Sequence, residues 1–116
     1  MKFEPWKSMA ETERFTKVAT TGEVAPGEMI SVDVNGEQVL LCNVDGEFYA
    51  VHDECTHERF PLTEGTLEGC AVVCALHGAR FSLETGEVLA PPALVPVKTY
   101  EVRVEGEDIV IAAAGE

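Results

Sequence analysis

Two short segments decide how this sequence folds: Cys55-Thr56-His57 and Cys74-Ala75-Leu76-His77-Gly78. They are called here the first box (residues 55–57) and the second box (residues 74–78). Sixteen residues lie between His57 and Cys74. Each box contributes one thiol and one imidazole, the side chains that bind soft and borderline transition metals. Loops on a rigid sheet can bring four such ligands to one point. The boxes therefore predict a metal site.

Three interpretations of the boxes compete. Coincidence would leave core cysteines and surface histidines with no shared role. Zinc accepts two Cys and two His, but structural zinc sites usually pair Cys with Cys and His with His within one knuckle. A [2Fe–2S] cluster with two His in place of two Cys on one iron accepts the mixed pairing, because each box then gives one ligand to each iron. We favour this interpretation, with Cys55 and Cys74 on one iron and His57 and His77 on the other.

The sequence around the boxes has the pattern of short antiparallel strands. Residues 30–34 alternate apolar and polar side chains, as in a half-buried strand. The dipeptides Asn35-Gly36 and Asp45-Gly46 separate apolar runs, which is the strongest short-range signal for a hairpin. Further strands are predicted near residue 15 and at residues 39–44, 48–51, 72–73, 79–83, 97–104 and 109–111. We expect an all-β sandwich or barrel, in a single domain over residues 1–116 with an irregular leader at 1–14.

The composition is that of a globular and strongly acidic protein. Hydrophobic residues make up 46% of the 116 residues, and the formal net charge at pH 7 is −13. Such a charge excludes nucleic-acid binding and disfavours docking on anionic lipid. No apolar run is long enough for a membrane span, and the first residues lack the apolar core of a signal peptide. We expect a cytoplasmic monomer with no membrane or nucleic-acid partner.

At the two boxes the sequence resembles the Rieske [2Fe–2S] family. The family's boxes are Cys-x-His and Cys-x-x-His-Gly, and residues 55–57 and 74–78 match both. A weaker resemblance extends over residues 15–111. It implies the Rieske fold, which has three small antiparallel sheets and a cluster-binding tip formed by two loops. A third, proline-containing loop shields the cluster in this family, and Pro91-Pro92 is the matching candidate.

Two departures from the respiratory Rieske proteins indicate which branch the sequence resembles. Those proteins have an extra disulfide between the boxes, whereas Phe60 and Leu76 stand at its positions here. High-potential members place a Ser and a Tyr hydroxyl near the cluster sulfurs, where this sequence has Ala79 and Phe81. Hydrogen bonds to the sulfurs stabilise the reduced cluster, so their loss predicts a lower potential. The sequence is most similar to the soluble ferredoxins of bacterial aromatic-ring dioxygenase systems.

This resemblance implies a one-electron carrier that is not itself an enzyme. It would hold one [2Fe–2S] cluster with Cys₂His₂ ligation. Electrons would come from a flavin-containing ferredoxin reductase and pass, through transient contacts, to a terminal aromatic-ring-hydroxylating oxygenase. The alternatives are the small Rieske subunit of an assimilatory nitrite reductase and a zinc-stabilised interaction module.

The remaining polar and sulfur-containing residues have weaker predictions. Cys42 lies in an apolar run and is expected to be buried, Cys70 follows a turn and is expected to be partly exposed, and His52 is expected to be structural. Clustered charge steers protein encounters, so some of the carboxylates near the boxes in sequence are expected to lie around the histidine tip and attract a basic partner. These carboxylates are Asp53, Glu54, Glu58, Glu64 and Glu68.

Overall fold

The structure, a computed structural model, describes residues 15–112. The predicted leader at residues 1–14 lies outside the described residues. The described part forms eleven short strands: β1 (Phe15–Thr20), β2 (Met29–Val34), β3 (Glu37–Val44), β4 (Glu47–His52), β5 (Thr66–Glu68), β6 (Ala71–Val73), β7 (Arg80–Ser82), β8 (Val88–Ala90), β9 (Thr99–Tyr100), β10 (Val102–Glu105) and β11 (Asp108–Ala112). Two 3₁₀ turns, at Thr21–Glu23 and Leu62–Glu64, complete the secondary structure of this part.

The strands pair into three antiparallel sheets, which confirms the predicted all-β architecture. The first sheet has the order β1-β11-β10, the second β2-β3-β4-β9 and the third β5-β6-β7-β8. The first sheet joins the start of the described chain to its end, since Phe15 of β1 is paired with Ala112 of β11. No helix among residues 15–112 is both long enough and apolar enough to cross a membrane.

The two predicted hairpins are present with the predicted turns. Asn35 and Gly36 have φ angles of 52° and 88°, and Asp45 and Gly46 have φ angles of 53° and 93°. Two consecutive residues with positive φ form the turn whose twist matches that of the flanking strands. Each turn therefore fixes the register of its hairpin, β2 with β3 and β3 with β4.

The second sheet is the middle layer of the molecule, and both of its faces are buried. Leu40 and Cys42 of β3 pack in a cluster with side chains of the third sheet. Val39 and Leu41, the alternate residues of the same strand, pack in a second cluster with side chains of the first sheet. Because successive side chains of a strand point to opposite faces, one continuous apolar run serves two cores.

Two parts of the strand prediction differ from the structure. The run predicted as one strand at residues 97–104 is divided at Glu101: β9 pairs with β4 in the second sheet, whereas β10 pairs with β11 in the first. The strands β5 and β8 have only three residues each and were not predicted. Such short strands have almost no sequence pattern of their own, and pairing with β6 and β7 defines them.

Candidate metal centre

The two boxes lie next to each other at one end of the third sheet. The first box follows the end of β4, and the second box occupies the connection between β6 and β7. Cys55 and Cys74 are only 2% and 3% exposed and belong to the same buried cluster. His57 and His77 are exposed. The sulfur atoms therefore lie on the protein side of the site and the imidazoles on the solvent side.

The structure brings all four predicted ligand residues together. The ring centroids of His57 and His77 are 5.3 Å apart, with the ring planes at 83° to each other. The thiols of Cys55 and Cys74 lie in the same buried cluster, and the neighbouring Cys55 contributes to the raised pKa of Cys74. Two adjacent thiols beside two adjacent imidazoles form the donor set that a cluster with one sulfur-ligated and one nitrogen-ligated iron requires.

Backbone hydrogen bonds give each box its loop shape. The Cys55 N–H donates to the Phe60 carbonyl at 2.9 Å, and the Cys74 N–H donates to the Ala79 carbonyl at 2.7 Å. In the second box the Gly78 N–H donates back to the Cys74 carbonyl at 3.1 Å, and Gly78 has a φ of 80°, a conformation that glycine adopts without strain. Both cysteines are thus held on closed turns rather than on free loops.

The surroundings of Cys74 act in two directions on its thiol. Burial raises the pKa of Cys74, and the backbone N–H groups of Leu76 and His77 lower it by donating to the sulfur. Backbone donors directed at a sulfur favour the thiolate, which is the form that binds metal. On balance the pKa of Cys74 is raised, because the two backbone donors offset only part of the effect of burial.

A third loop, residues 91–98 between β8 and β9, is attached to the first box. The Thr56 hydroxyl donates to the Val95 carbonyl at 2.6 Å. Ala93 is buried in the same cluster as the two cysteines, and the Val97 N–H donates to the Gly86 carbonyl at 2.8 Å. The resemblance indicated Pro91-Pro92 as the shielding segment. The hydrogen bond from Thr56 to Val95 was not predicted, because 39 residues separate its two partners.

The exposed rim of the tip has an apolar side and a charged side. On the apolar side, Leu94 is 89% exposed, Val95 is 58% exposed and Leu76 of the second box is 40% exposed. On the charged side, a cleft of about 240 Å³ lies between His57, Glu54 and Arg59. The histidine tip is consequently accessible and bordered by two chemically different surfaces.

The five carboxylates that lie near the boxes in sequence have different surroundings in the structure. Glu58 is exposed, and its carboxylate lies within 4.8 Å of the ligand-type nitrogens of His57 and His77. Glu54 is half-buried and forms ion pairs with His52 and Arg59, and Glu68 forms an ion pair with Arg80.

Asp53 is not one of the carboxylates at the surface of the tip. Asp53 is 8% exposed, and its carboxylate accepts hydrogen bonds from the N–H and the hydroxyl of Thr63. It points into the protein rather than toward a docking partner. No sequence pattern indicates this, since the donor that makes the burial favourable lies ten residues away.

The other cysteines and His52 lie outside the metal centre. All four cysteines of the chain are free thiols; Cys42 is buried and Cys70 is half-buried, as predicted. Burial raises the pKa of Cys42 to about 12, so this thiol is unreactive at neutral pH. The His52 ring contacts the Glu54 carboxylate at 3.2 Å and the Tyr100 hydroxyl at 3.5 Å, which fits the predicted structural role.

Comparison with known families identifies the fold and its cofactor class. The family model described as Rieske [2Fe-2S] domain matches residues 14–101. The chain belongs to the Rieske family. The ferredoxin component of a biphenyl 2,3-dioxygenase from Rhodococcus jostii (strain RHA1) is 44% identical over 100 residues, which cover 86% of this chain and 94% of that protein. A Rieske [2Fe–2S] domain is thereby established, as the two boxes predict.

Solved structures of similar proteins agree with this assignment. The ferredoxin of carbazole 1,9a-dioxygenase from Nocardioides aromaticivorans IC177 has a TM-score of 0.83 and 32% identity, covering 85% of this chain and 97% of that one. A ferredoxin chain solved in a complex of reduced oxygenase and oxidized ferredoxin in carbazole 1,9a-dioxygenase has a TM-score of 0.81 and 33% identity, covering 84% of this chain and 92% of that one. The Rieske fold with three small sheets is confirmed.

The comparisons also separate the electron carrier from the alternative nitrite reductase subunit. A putative small subunit of an NADPH nitrite reductase has a TM-score of 0.74 and 26% identity, covering 85% of this chain and 98% of that one, and is therefore the weaker neighbour. The two biphenyl dioxygenase relatives with 44% identity, and the carbazole dioxygenase ferredoxin with 32% identity, are ferredoxin components of dioxygenase systems and not catalytic subunits. The prediction of a ferredoxin of the dioxygenase type is confirmed.

Proposed function

We propose that this Rieske ferredoxin holds its [2Fe–2S] cluster with Cys55 and Cys74 on one iron and with His57 and His77 on the other. The observation that carries this proposal is the separation of the donors within one tip. Two thiols lie side by side in the core, and two imidazoles lie 5.3 Å apart at the surface. In the described part of the chain, the remaining cysteines and His52 contact other groups.

The arrangement assigns different roles to the two pairs. Cys55 and Cys74 would hold the cluster from the buried side, where water is excluded, and His57 and His77 would hold it from the solvent-exposed side. When bound, the cluster supplies a one-electron redox couple. With two neutral ligands the oxidised site carries less negative charge than an all-cysteine site, which makes reduction easier. His57 and His77 are thus the exposed groups through which the electron enters and leaves.

We infer that the redox partners are a flavin-containing ferredoxin reductase and a terminal aromatic-ring-hydroxylating oxygenase. The similar ferredoxin solved in complex with a dioxygenase's oxygenase supports the second partner, and the ferredoxin component of a biphenyl dioxygenase supports the same kind of system. An electron carrier must dissociate as readily as it binds, so the interface is expected to be small. The apolar side of the tip and the acidic Glu58 offer such an interface beside the histidines.

We further propose that the protein acts as a monomer in the cytoplasm. The net charge of −13 opposes self-association. The half-buried thiol of Cys70 is free rather than in a disulfide, which fits a reducing compartment. Sedimentation equilibrium at several protein concentrations measures the oligomeric state, and a concentration-independent mass equal to one chain is the expected result.

Ligand replacement followed by optical and EPR spectroscopy tests the cluster assignment. The reduced wild-type protein should give a rhombic EPR signal with a lower average g value than all-cysteine clusters give. His57→Cys and His77→Ala should abolish or convert this signal, because the outer iron loses a neutral ligand. Cys42→Ser is the matched control and should keep it. An unchanged signal and full iron content in both histidine variants would overturn the assignment.

A further inference from the structure

Asp53 is a buried carboxylate that the proposed cluster ligation does not use. It is only 8% exposed, and in the described part of the chain Asn43 is the one other polar residue that is buried. The Thr63 N–H donates to its Oδ1 at 2.8 Å, and the Thr63 hydroxyl donates to its Oδ2. Its own N–H donates to the Gln38 carbonyl of β3 at 3.0 Å. A carboxylate in such a place is costly unless its hydrogen bonds are satisfied, and here they are.

The position of these hydrogen bonds makes Asp53 the closing residue of a loop. Asp53 directly follows β4, and Thr63 lies in the 3₁₀ turn Leu62–Glu64. The chain between them contains the first box and the internal hydrogen bond from Cys55 to Phe60. Asp53 therefore joins the two ends of the loop that presents Cys55 and His57, and the bond to β3 anchors this junction to the middle sheet.

The charge of Asp53 lies close to the cysteines and has no paired cation among the residues that the structure describes. Consecutive Cα atoms are about 3.8 Å apart, so the Cα atoms of Asp53 and Cys55 are at most about 7.6 Å apart. None of the ion pairs found in residues 15–112 involves Asp53. Its negative charge also contributes to the raised pKa of Cys42, which shares a buried cluster with Cys55 and Cys74. The field of this carboxylate thus extends into the core behind the cluster site.

We propose that Asp53 is a positioning residue that closes the first-box loop, and that its buried negative charge lowers the reduction potential of the cluster held there. The proposal rests on the proposed ligation by Cys55 and His57. Reduction adds one negative charge to the site, and a fixed negative charge nearby disfavours that addition. Hydrogen bonds to Thr63 keep the carboxylate in place and keep the loop closed. Asp53 would then set both the shape and the potential of the first box.

Three variants of the intact holoprotein separate these two effects. Asp53→Asn removes the charge and retains an oxygen that accepts the Thr63 N–H. Thr63→Val removes the hydroxyl donor and retains the charge and the Thr63 N–H bond. Glu64→Gln is the matched control, since it removes an exposed charge next to Thr63. The reduction potential is measured by protein-film voltammetry, and the first-order rate of cluster loss is followed optically in the presence of a chelator.

For Asp53→Asn we expect about a tenfold higher ratio of reduced to oxidised protein at a fixed ambient potential, with an unchanged rhombic EPR signal. We expect Thr63→Val to lose its cluster severalfold faster than the wild type at nearly wild-type potential, and Glu64→Gln to change neither quantity. Equal potentials for the wild type and Asp53→Asn, an equal shift in Glu64→Gln, or wild-type cluster retention in Thr63→Val would each overturn the proposal. A wild-type protein without a Rieske EPR signal would instead overturn the proposed function.

Discussion

Replacement of Leu94 by Ser should slow electron transfer to the oxygenase without weakening the ferredoxin itself. Leu94 is 89% exposed on the third loop, so the folded protein gains little from its side chain. It precedes Val95, whose carbonyl accepts the hydroxyl of Thr56 in the first box. Complete burial of a leucine side chain contributes about 1.5–3 kcal/mol. If docking buries the 89% of Leu94 that is exposed, the loss of this side chain weakens association by about 1.3–2.7 kcal/mol. This is roughly a tenfold to eightyfold weaker affinity, since 1.4 kcal/mol corresponds to a factor of ten.

The assay is stopped-flow oxidation of the reduced ferredoxin by excess oxygenase without oxygen, at concentrations where the rate is second order. The control is Val104→Thr, which changes an apolar residue on β10 that is 48% exposed. This strand belongs to the first sheet, whereas the boxes adjoin strands of the second and third sheets. Both variants should keep the wild-type potential and melting temperature. A rate constant for Leu94→Ser within twofold of the wild-type value would show that the apolar side of the tip does not contact the oxygenase.

Three further predictions follow from the site and its surroundings. Ala79→Ser combined with Phe81→Tyr should raise the reduction potential, because hydroxyl donors near the sulfurs stabilise the reduced cluster; voltammetry that finds no rise would refute the hydrogen-bond argument. Gly65→Ala should lower the free energy of unfolding, measured in urea titrations, by about 1–3 kcal/mol, because an added Cβ would lie 1.9 Å from the Val73 carbonyl oxygen. The control Gly22→Ala has open space around the added atom and should change the free energy of unfolding by less than about 0.5 kcal/mol. Electron transfer to a basic partner should slow as ionic strength rises from 0.01 M to 1 M, because the chain carries a net charge of −13 and the screening length falls from about 30 Å to 3 Å. A rate that does not depend on salt would contradict electrostatic steering.

Sequence reasoning worked well where the signal depends on neighbouring residues. The turns at Asn35-Gly36 and Asp45-Gly46 require positive φ at two adjacent positions, and residue type alone indicates this. The boxes are equally local, because one thiol and one imidazole two or three residues apart can reach one metal site from a single loop. Hairpin register and the identity of the four candidate ligands could therefore be predicted from the chain alone.

Residues distant in sequence determined the features that the prediction missed. The division of residues 97–104 at Glu101 follows from pairing with β4 on one side and β11 on the other. Thr56 meets Val95 only after the third loop has packed beside the first box. Asp53 lies close to the first box in sequence, yet it is buried, because Thr63 supplies the donors that offset its desolvation.

The sequence by itself thus determined the longer hairpin strands, the tight turns and the two boxes, because each of these depends on the conformational preferences and chemistry of a few consecutive residues. The resemblance placed His57 and His77 at an exposed tip, and the tertiary structure decided how deeply the thiols of Cys55 and Cys74 are buried behind them. Burial is a property of sheets packed against each other, and loop attachment depends on hydrogen bonds between segments far apart in the chain. Neither is encoded in any short stretch of residues, so the burial of the two thiols and the attachment of the third loop became visible only in the folded protein.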